Sequence, residues 1–176
     1  MQPMTGTLES TLNAHIKAFE TLGHPSLMER FVVLRGEVFE CRDDAGYHRG
    51  VSKECFRNAA LLSLENDELT YVEGYGMLDS IPFPIHHAWC VDERGVVVDV
   101  TWDADSPRQY IGVRISKEDL RDNLLKNGVY GVLDTGVGIN VDFILRKAPE
   151  LGKVLDDLEI KMPRSRQSKR SSSLGL

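Results

Sequence analysis

The segment from Ile85 to Trp102, IHHAWCVDERGVVVDVTW, constrains the fold of this chain more than any other stretch. Its two apolar runs flank DERG, and this pattern predicts two antiparallel strands joined by a tight turn. Asp99 interrupts the second run between valines. Because an unpaired carboxylate is costly to bury, the sequence predicts that another side chain of the fold bonds to Asp99.

The register of the predicted hairpin decides which side chain that partner is. Side chains alternate along a strand, so His87 and Trp89 share one face, whereas His86 and Cys90 share the other. If ERG forms a three-residue loop, Asp99 lies on the His87 face as its diagonal neighbour, at roughly 7–8 Å. A four-residue loop would instead put them on opposite faces. In the first register, Asp99 fixes the tautomer of the imidazole and leaves its other ring nitrogen free to act as a base.

A cysteine upstream is the candidate on which that base would act. The stretch VSKECFRNAALLSLEND predicts a helix over about 53–65 with Ser52 as its N-cap, which puts Cys55 near the third helical position. Backbone N–H groups and the helix dipole favour a thiolate there, and an adjacent imidazolium favours it further. Cys55, His87 and Asp99 then form a nucleophile, a base and an orienting acid.

Each member of this set has a more ordinary explanation. A single cysteine on a helix is usually a small core residue, and a single histidine on a strand is usually a bonded, partly buried side chain. Asp99 could simply cap a turn or accept a backbone N–H. The three residue types in this order, on these elements, favour catalysis more than any one of them does.

Four short motifs occur in a fixed order between positions 51 and 115: ECFRNAALL, YVEGY, HAW and VVDVTW. Together they resemble the transglutaminase-like superfamily of papain-type cysteine enzymes. The resemblance implies an α+β fold with a papain-like, transglutaminase-like core, in which an antiparallel sheet packs against the nucleophile-bearing helix. It also implies Cys55 as nucleophile, His87 as general base and acid, and Asp99 as orienting residue.

The chemistry that the resemblance implies is acyl transfer through an acyl-enzyme on amide (peptide or glutamine) or thioester carbonyls. A hydrolase is expected first, among protease, amidase, deamidase and transglutaminase-type activities. The substrate would be a peptide, a protein or a small acyl compound, and no cofactor is expected. The alternatives are a catalytically silent transglutaminase-like binding module and a structural domain with a coincidental triad. Glu54 departs from the family pattern, and we expect it to point away from the thiol.

Four further side chains are candidates for substrate binding. Trp89 shares the predicted His87 face and could shield the site. Tyr47 and His48 precede the cysteine in a loop that could supply an oxyanion donor. Tyr75 alternates with Glu73 on the strand after the helix, where both could line a cleft, although a surface position is equally compatible with the pattern.

The other segments complete an order of one helix followed by mostly sequential strands, which favours an antiparallel sheet with helices on one side. Predicted helices are TLESTLNAHIKAFETLG, SKEDLRDNLLKNG and a short APELGKVLDDL; predicted extended segments are RFVVLRGEVFEC, LTYVEGYGML, QYIGVRI and a short VYGVLD, with IPFP as a connector. We expect a single domain over 1–162 and a disordered, basic, Ser-rich tail over 163–176.

Composition excludes several classes of protein. The net charge of −6 gives no strong nucleic-acid signal, and neither an apolar run of membrane-spanning length nor a secretory signal is evident. Three irregularly spaced cysteines without CxxC make a disulfide framework and a structural zinc site improbable, and no metal site is expected. A reducing cytoplasm is therefore the expected location. The oligomeric state is open.

Overall fold

The computed structural model describes residues 7–39, 46–102 and 108–157. Cys41 and the predicted tail at 163–176 lie outside them. The elements, in chain order, are α1 Leu8–Thr21, α2 Leu27–Arg35, β1 Glu37–Phe39, α3 Cys55–Glu65, β2 Thr70–Leu78, β3 Ile81–Val91, β4 Val97–Val98, β5 Arg108–Ile115, α4 Lys117–Asn127, α5 Val141–Lys147, a 3₁₀ turn Pro149–Leu151 and α6 Gly152–Asp157.

The five strands within the described residues form one antiparallel sheet in the order β1-β5-β2-β3-β4. This architecture confirms the predicted α+β class. The strands expected from LTYVEGYGML and QYIGVRI are present as β2 and β5. The helix expected after Ser116 is also present, with the Ser116 side chain capping its start and Gly128 in a left-handed conformation at its end.

The two faces of the sheet are covered differently. The face that carries Ala88 and Cys90 packs against the helices and forms the main core. The opposite face carries a smaller cluster, drawn from strand residues and Trp102. Its members are Phe39, Val72, Trp89, Val91, Val97, Tyr110 and Trp102. His87 lies on this second face.

Three segments outside the hairpin turn and the cysteine helix were predicted wrongly. Of RFVVLRGEVFEC, residues 30–35 belong to helix α2 and Glu37–Phe39 form the short β1, because Phe31 and Val32 repeat the burial of the residues one turn earlier. IPFP begins β3, whose prolines are tolerated because β4 pairs only with the far end of that strand. VYGVLD forms a loop with an isolated bridge between Asp134 and Ile139, and the helix α5 that follows was not expected.

That loop is held to the sheet by a buried carboxylate. Glu73 on β2 is 0% exposed. It accepts hydrogen bonds from three consecutive backbone N–H groups, those of 132–134, at 2.7–3.2 Å. The Tyr71 hydroxyl donates to it at 2.9 Å, and His86 Nε2 lies 3.1 Å away. The interior position of Glu73 rules out a role as a wall of an open cleft.

Replacing Glu73 by glutamine is expected to destabilise the fold. The amide would turn a donor toward backbone N–H groups that have no other acceptor among their described contacts, so we expect a loss of about 3 kcal/mol in the free energy of unfolding. Urea denaturation measures this change, with the exposed Glu65→Gln as the matched control. Equal stability of the two variants would contradict the anchoring role.

Candidate active site

The turn after β3 has the loop length on which the register prediction depends. The Asp92 N–H donates to the Val96 carbonyl at 3.0 Å, enclosing the three residues between them. The two strands then pair in the register that this loop predicts. Asp99 consequently falls on the His87 face, as expected.

The second strand of the hairpin is much shorter than its sequence suggested, because β4 ends at Val98. The reason is the next residue. Asp99 Oδ1 accepts the backbone N–H groups of Thr101 at 2.8 Å and Trp102 at 3.1 Å, and this bends the chain away from the ladder. Asp99 therefore caps a turn with Oδ1, and Oδ2 is left to bond with other side chains.

The second oxygen binds the imidazole. His87 Nε2 lies 2.8 Å from Asp99 Oδ2, and His87 is 1% exposed. The Tyr110 hydroxyl donates to the same oxygen at 2.7 Å. Burial alone would raise the pKa of Asp99, but its hydrogen bonds to His87, Tyr110 and the Thr101 N–H together with the charge of the imidazole outweigh burial and hold that pKa below its ordinary value.

The candidate nucleophile occupies the first position of α3. The helix begins at Cys55 with Glu54 as N-cap, two residues later than predicted, so Ser52 is not the cap and Cys55 is not at the third position. The first intrahelical bond runs from the Asn58 N–H to the Glu54 carbonyl at 2.8 Å. The N–H groups of 55–57 thus stand at the open end of the helix, where they favour a negative charge.

Glu54 pairs with another side chain, which is compatible with its expected orientation away from the thiol. Its carboxylate bonds to Arg57 at 2.8 Å and its side chain is 43% exposed. Because the guanidinium pairs with the acid in solvent, the acid adds little repulsion at the thiol of Cys55.

The thiol and the acid act on the same imidazole. Burial lowers the pKa of His87, but hydrogen bonding and charge interactions with Asp99 and with Cys55 outweigh burial and raise that pKa above its ordinary value. Asp99 occupies Nε2, so Nδ1 is the ring nitrogen left for the thiol. His87 thus bonds to Asp99 and interacts electrostatically with the Cys55 thiol, and the role of the three residues as a catalytic triad stays a prediction.

An indole ring covers the imidazole. Trp102 stacks on His87 with the ring centroids 3.8 Å apart and the planes 9° from parallel. A Cβ at Gly76 would lie 2.5 Å from the Trp102 ring, so only glycine leaves room for the ring there. The stack excludes water from the imidazole and from its bond to Asp99.

The four candidate substrate-binding residues do not surround this dyad. Trp89 packs over Gly112 and is 1% exposed, so it supports the dyad from the interior and does not line a cleft. Tyr75 is buried on the opposite face, where its hydroxyl donates to Glu29 at 2.8 Å. The Tyr47 hydroxyl donates to Glu68 at 3.2 Å, before β2 begins. His48 is exposed, and none of the contacts seen among the described residues joins it to Cys55, His87 or Asp99.

Two contributors to the site were missed by the sequence analysis. Tyr110 arrives from β5, a strand that local patterns do not connect with Asp99. Asn58, one turn after Cys55, accepts the Val51 N–H at 3.1 Å, and donates to the Val51 carbonyl at 2.7 Å and to the Thr101 hydroxyl at 3.0 Å. It joins the loop before the cysteine to the turn after the aspartate. Its place in the motif CFRN was the available signal.

The described residues contain no group of three or more His, Cys, Asp or Glu side chains able to hold a metal ion. Among the helices of the same residues, none has the length and apolar character needed to cross a membrane. Comparisons with known proteins gave no matching family model, no matching curated protein and no matching solved structure.

Stability should depend on pH through the His87–Asp99 pair. The raised pKa of His87 adds stability that is full below about pH 6.5 and is lost as pH rises through the folded value. The lowered pKa of Asp99 adds stability that is present above about pH 4 and is lost as pH falls through the folded value. Asp99→Asn should therefore cost most near pH 5–6, about 3 kcal/mol, and less at pH 9.

Urea denaturation of the wild type and Asp99→Asn at several pH values between 5 and 9 measures this difference. Asp92→Asn is the matched control, because that carboxylate bonds to the Arg94 side chain and to backbone N–H groups in the turn and does not touch the imidazole. Its effect should stay constant over the same range. An Asp99→Asn effect that does not change with pH would contradict a native imidazolium–carboxylate pair.

Proposed function

We propose that this protein is a cysteine-dependent acyl-transfer enzyme with a papain-like, transglutaminase-like core, acting most readily as a hydrolase of amide bonds. One observation carries the proposal. The His87 ring is bonded through Nε2 to the buried Asp99 and is coupled to the thiol at the first residue of α3. This is the relation of orienting acid, base and nucleophile that thiol acyl transfer requires.

The proton relation between the thiol and the imidazole supports this chemistry. The thiolate is the nucleophilic form of cysteine, and a raised pKa makes His87 a better acceptor for the thiol proton. The resulting imidazolium is stabilised by Asp99, and the thiolate by the free N–H groups at the start of α3. Both charges of the ion pair therefore have partners.

In the proposed reaction, Cys55 Sγ attacks the carbonyl carbon of the substrate, and its proton resides on His87. The carbonyl oxygen becomes an oxyanion, toward which the Cys55 backbone N–H can donate. When the intermediate collapses, the bond from carbon to the leaving amine breaks, and His87 gives the amine its proton. An S-acyl enzyme remains.

Water completes the reaction. His87 takes a proton from the water, whose oxygen bonds to the acyl carbon, and the C–S bond then breaks. The acid product leaves, and Cys55 recovers its proton. An amine in place of water would make the same enzyme a transferase, so protease, amidase, deamidase and transglutaminase-type activities share these steps. The substrate class proposed is a peptide, a protein or a small acyl compound.

A reducing compartment suits this chemistry, and we propose the cytoplasm. Within the described residues, Cys55 and Cys90 are free thiols. Burial raises the pKa of Cys90 to about 12, and its thiol donates to the Ala59 carbonyl at 3.2 Å. Cys90 is therefore a structural thiol, which leaves Cys55 as the reactive one of the two.

Alkylation at neutral pH should distinguish these cysteines. Iodoacetamide is expected to modify Cys55 at least about tenfold faster than Cys90, because the thiolate is the reacting form. His87→Ala should slow the alkylation of Cys55 at least about tenfold, since it removes the proton acceptor, and should leave the slow reaction of Cys90 unchanged. Mass spectrometry of peptides after timed quenching measures each rate, including that of Cys41. The matched control is His48→Ala, which removes an exposed histidine from the same part of the chain.

Turnover separates the enzyme from a silent binding module. Glutamine-containing peptides and acyl thioesters are incubated with the wild type and with Cys55→Ala, and mass spectrometry detects the S-acyl enzyme and the released products. If the protein is an enzyme, the wild type should give both the S-acyl enzyme and the released products, and Cys55→Ala should give neither. Preferential alkylation without any acylation of Cys55 would favour the binding module, and equal alkylation of all three cysteines would contradict the proposal.

A further inference from the structure

We infer that Tyr110 is a positioning residue that sets the proton affinity of the His87–Asp99 pair and thereby the pH range in which Cys55 reacts. The part concerning Cys55 rests on the proposed function. One carboxylate oxygen of Asp99 has two side-chain donors, and the part concerning the pair rests on that geometry.

Asp99 Oδ2 receives both donors. His87 Nε2 lies 2.8 Å from it and the Tyr110 hydroxyl oxygen 2.7 Å from it. The other oxygen is occupied by two backbone N–H groups of the following turn. A carboxylate offers about four acceptor positions, so the four donors saturate it. The hydroxyl and the imidazole therefore compete as donors for the same acceptor oxygen.

Tyr110 cannot relax away from this contact. It is 0% exposed, its ring centroid lies 4.8 Å from that of Trp89, and its backbone lies between Phe39 of β1 and Gly76 of β2. The Arg108 guanidinium lies 5.9 Å from the ring centroid. The packing fixes the hydroxyl against Asp99 whether or not the acid is ionised.

The charged groups around His87 determine the sign of the effect. Cys55 faces it from α3 and Asp99 from the turn after β4, and both favour the imidazolium. From β5, Arg108 Nη1 lies 3.8 Å from Asp99 Oδ2 and opposes a positive charge on the ring. The β2 neighbour is Gly74, which carries no charge.

The Tyr110 hydroxyl weakens the hydrogen bond between Asp99 and the imidazole of His87. A donor to the ionised carboxylate stabilises that form and makes Oδ2 less basic toward the His87 N–H. Loss of the hydroxyl should raise the proton affinity of both partners. Of the two partners, His87 has the ordinary pKa nearer to neutral pH, so the visible change is an imidazolium that persists to higher pH.

Tyr110→Phe tests the inference. In the full chain, ring NMR signals of His87 followed against pH report its titration, and the pH profile of Cys55 alkylation reports the consequence for the thiol. Removal of the hydroxyl should increase the imidazolium-to-imidazole ratio roughly threefold at a given pH, a shift of about half a unit. Tyr47→Phe, whose hydroxyl bonds to Glu68, is the matched control and should leave the titration unchanged.

The background of Asp99→Asn separates positioning from simple packing. With the carboxylate removed, Tyr110→Phe should no longer move the His87 titration, because the shared oxygen is absent. The same shift in both backgrounds, no shift, or a downward shift would overturn the inference. If Tyr110→Phe fails to fold, fluorotyrosine placed at 110 provides the opposite test, since its more acidic hydroxyl should shift the titration downward.

The two proposals fail in different ways. Suppose that Tyr110→Phe shifts the His87 titration upward as expected, but Cys55 of the wild type forms no acyl-enzyme. Tyr110 would then be a positioning residue of a catalytically silent site. Catalysis without any shift in Tyr110→Phe would overturn the inference and leave the proposed function intact.

Discussion

The hydrogen bond between Asp99 and His87 is the interaction around which this face of the sheet is organised. A carboxylate in a buried position is tolerated only when its acceptor positions are filled. Asp99 fills them with an imidazole, a phenol and two backbone N–H groups. This need of the carboxylate for donors explains why β4 ends after two residues, because the turn that follows supplies two of the four donors. It also explains a buried hydroxyl on β5.

Glycines allow aromatic rings to cover that bond. Gly76 leaves room for the Trp102 ring, and Gly112 leaves room for Trp89, since a Cβ at either position would lie within 2.7 Å of the indole. The rings then pack on the backbone of β2 and β5 and keep water from the dyad. Glycine inside a strand ordinarily weakens it, and here it marks the places where another group approaches closely.

The sequence predicted the parts of this site that depend on local geometry. The length of the turn and the alternation of side chains sufficed to put His87 and Asp99 on one face. The early end of β4 was not predictable from the run of valines, because the competing turn is formed by the Asp99 side chain itself. Trp89 was expected to shield the site because it shares a face with His87, whereas the stacking of Trp102 on His87 depends on how the chain returns after the turn. Tyr110 was missed because a local pattern does not give the order of strands.

The position of β5 has a consequence for the making of the protein. This strand is the last of the five in the chain, yet it lies between β1 and β2, which are both made earlier. A hairpin of β2 and β3 can close locally, but the phenol and the central rung of the sheet come only with β5. A chain emerging from the ribosome therefore contains Cys55, His87 and Asp99 before the strand that supplies the Tyr110 hydroxyl. The buried carboxylate gains its full set of donors only when the sheet is complete.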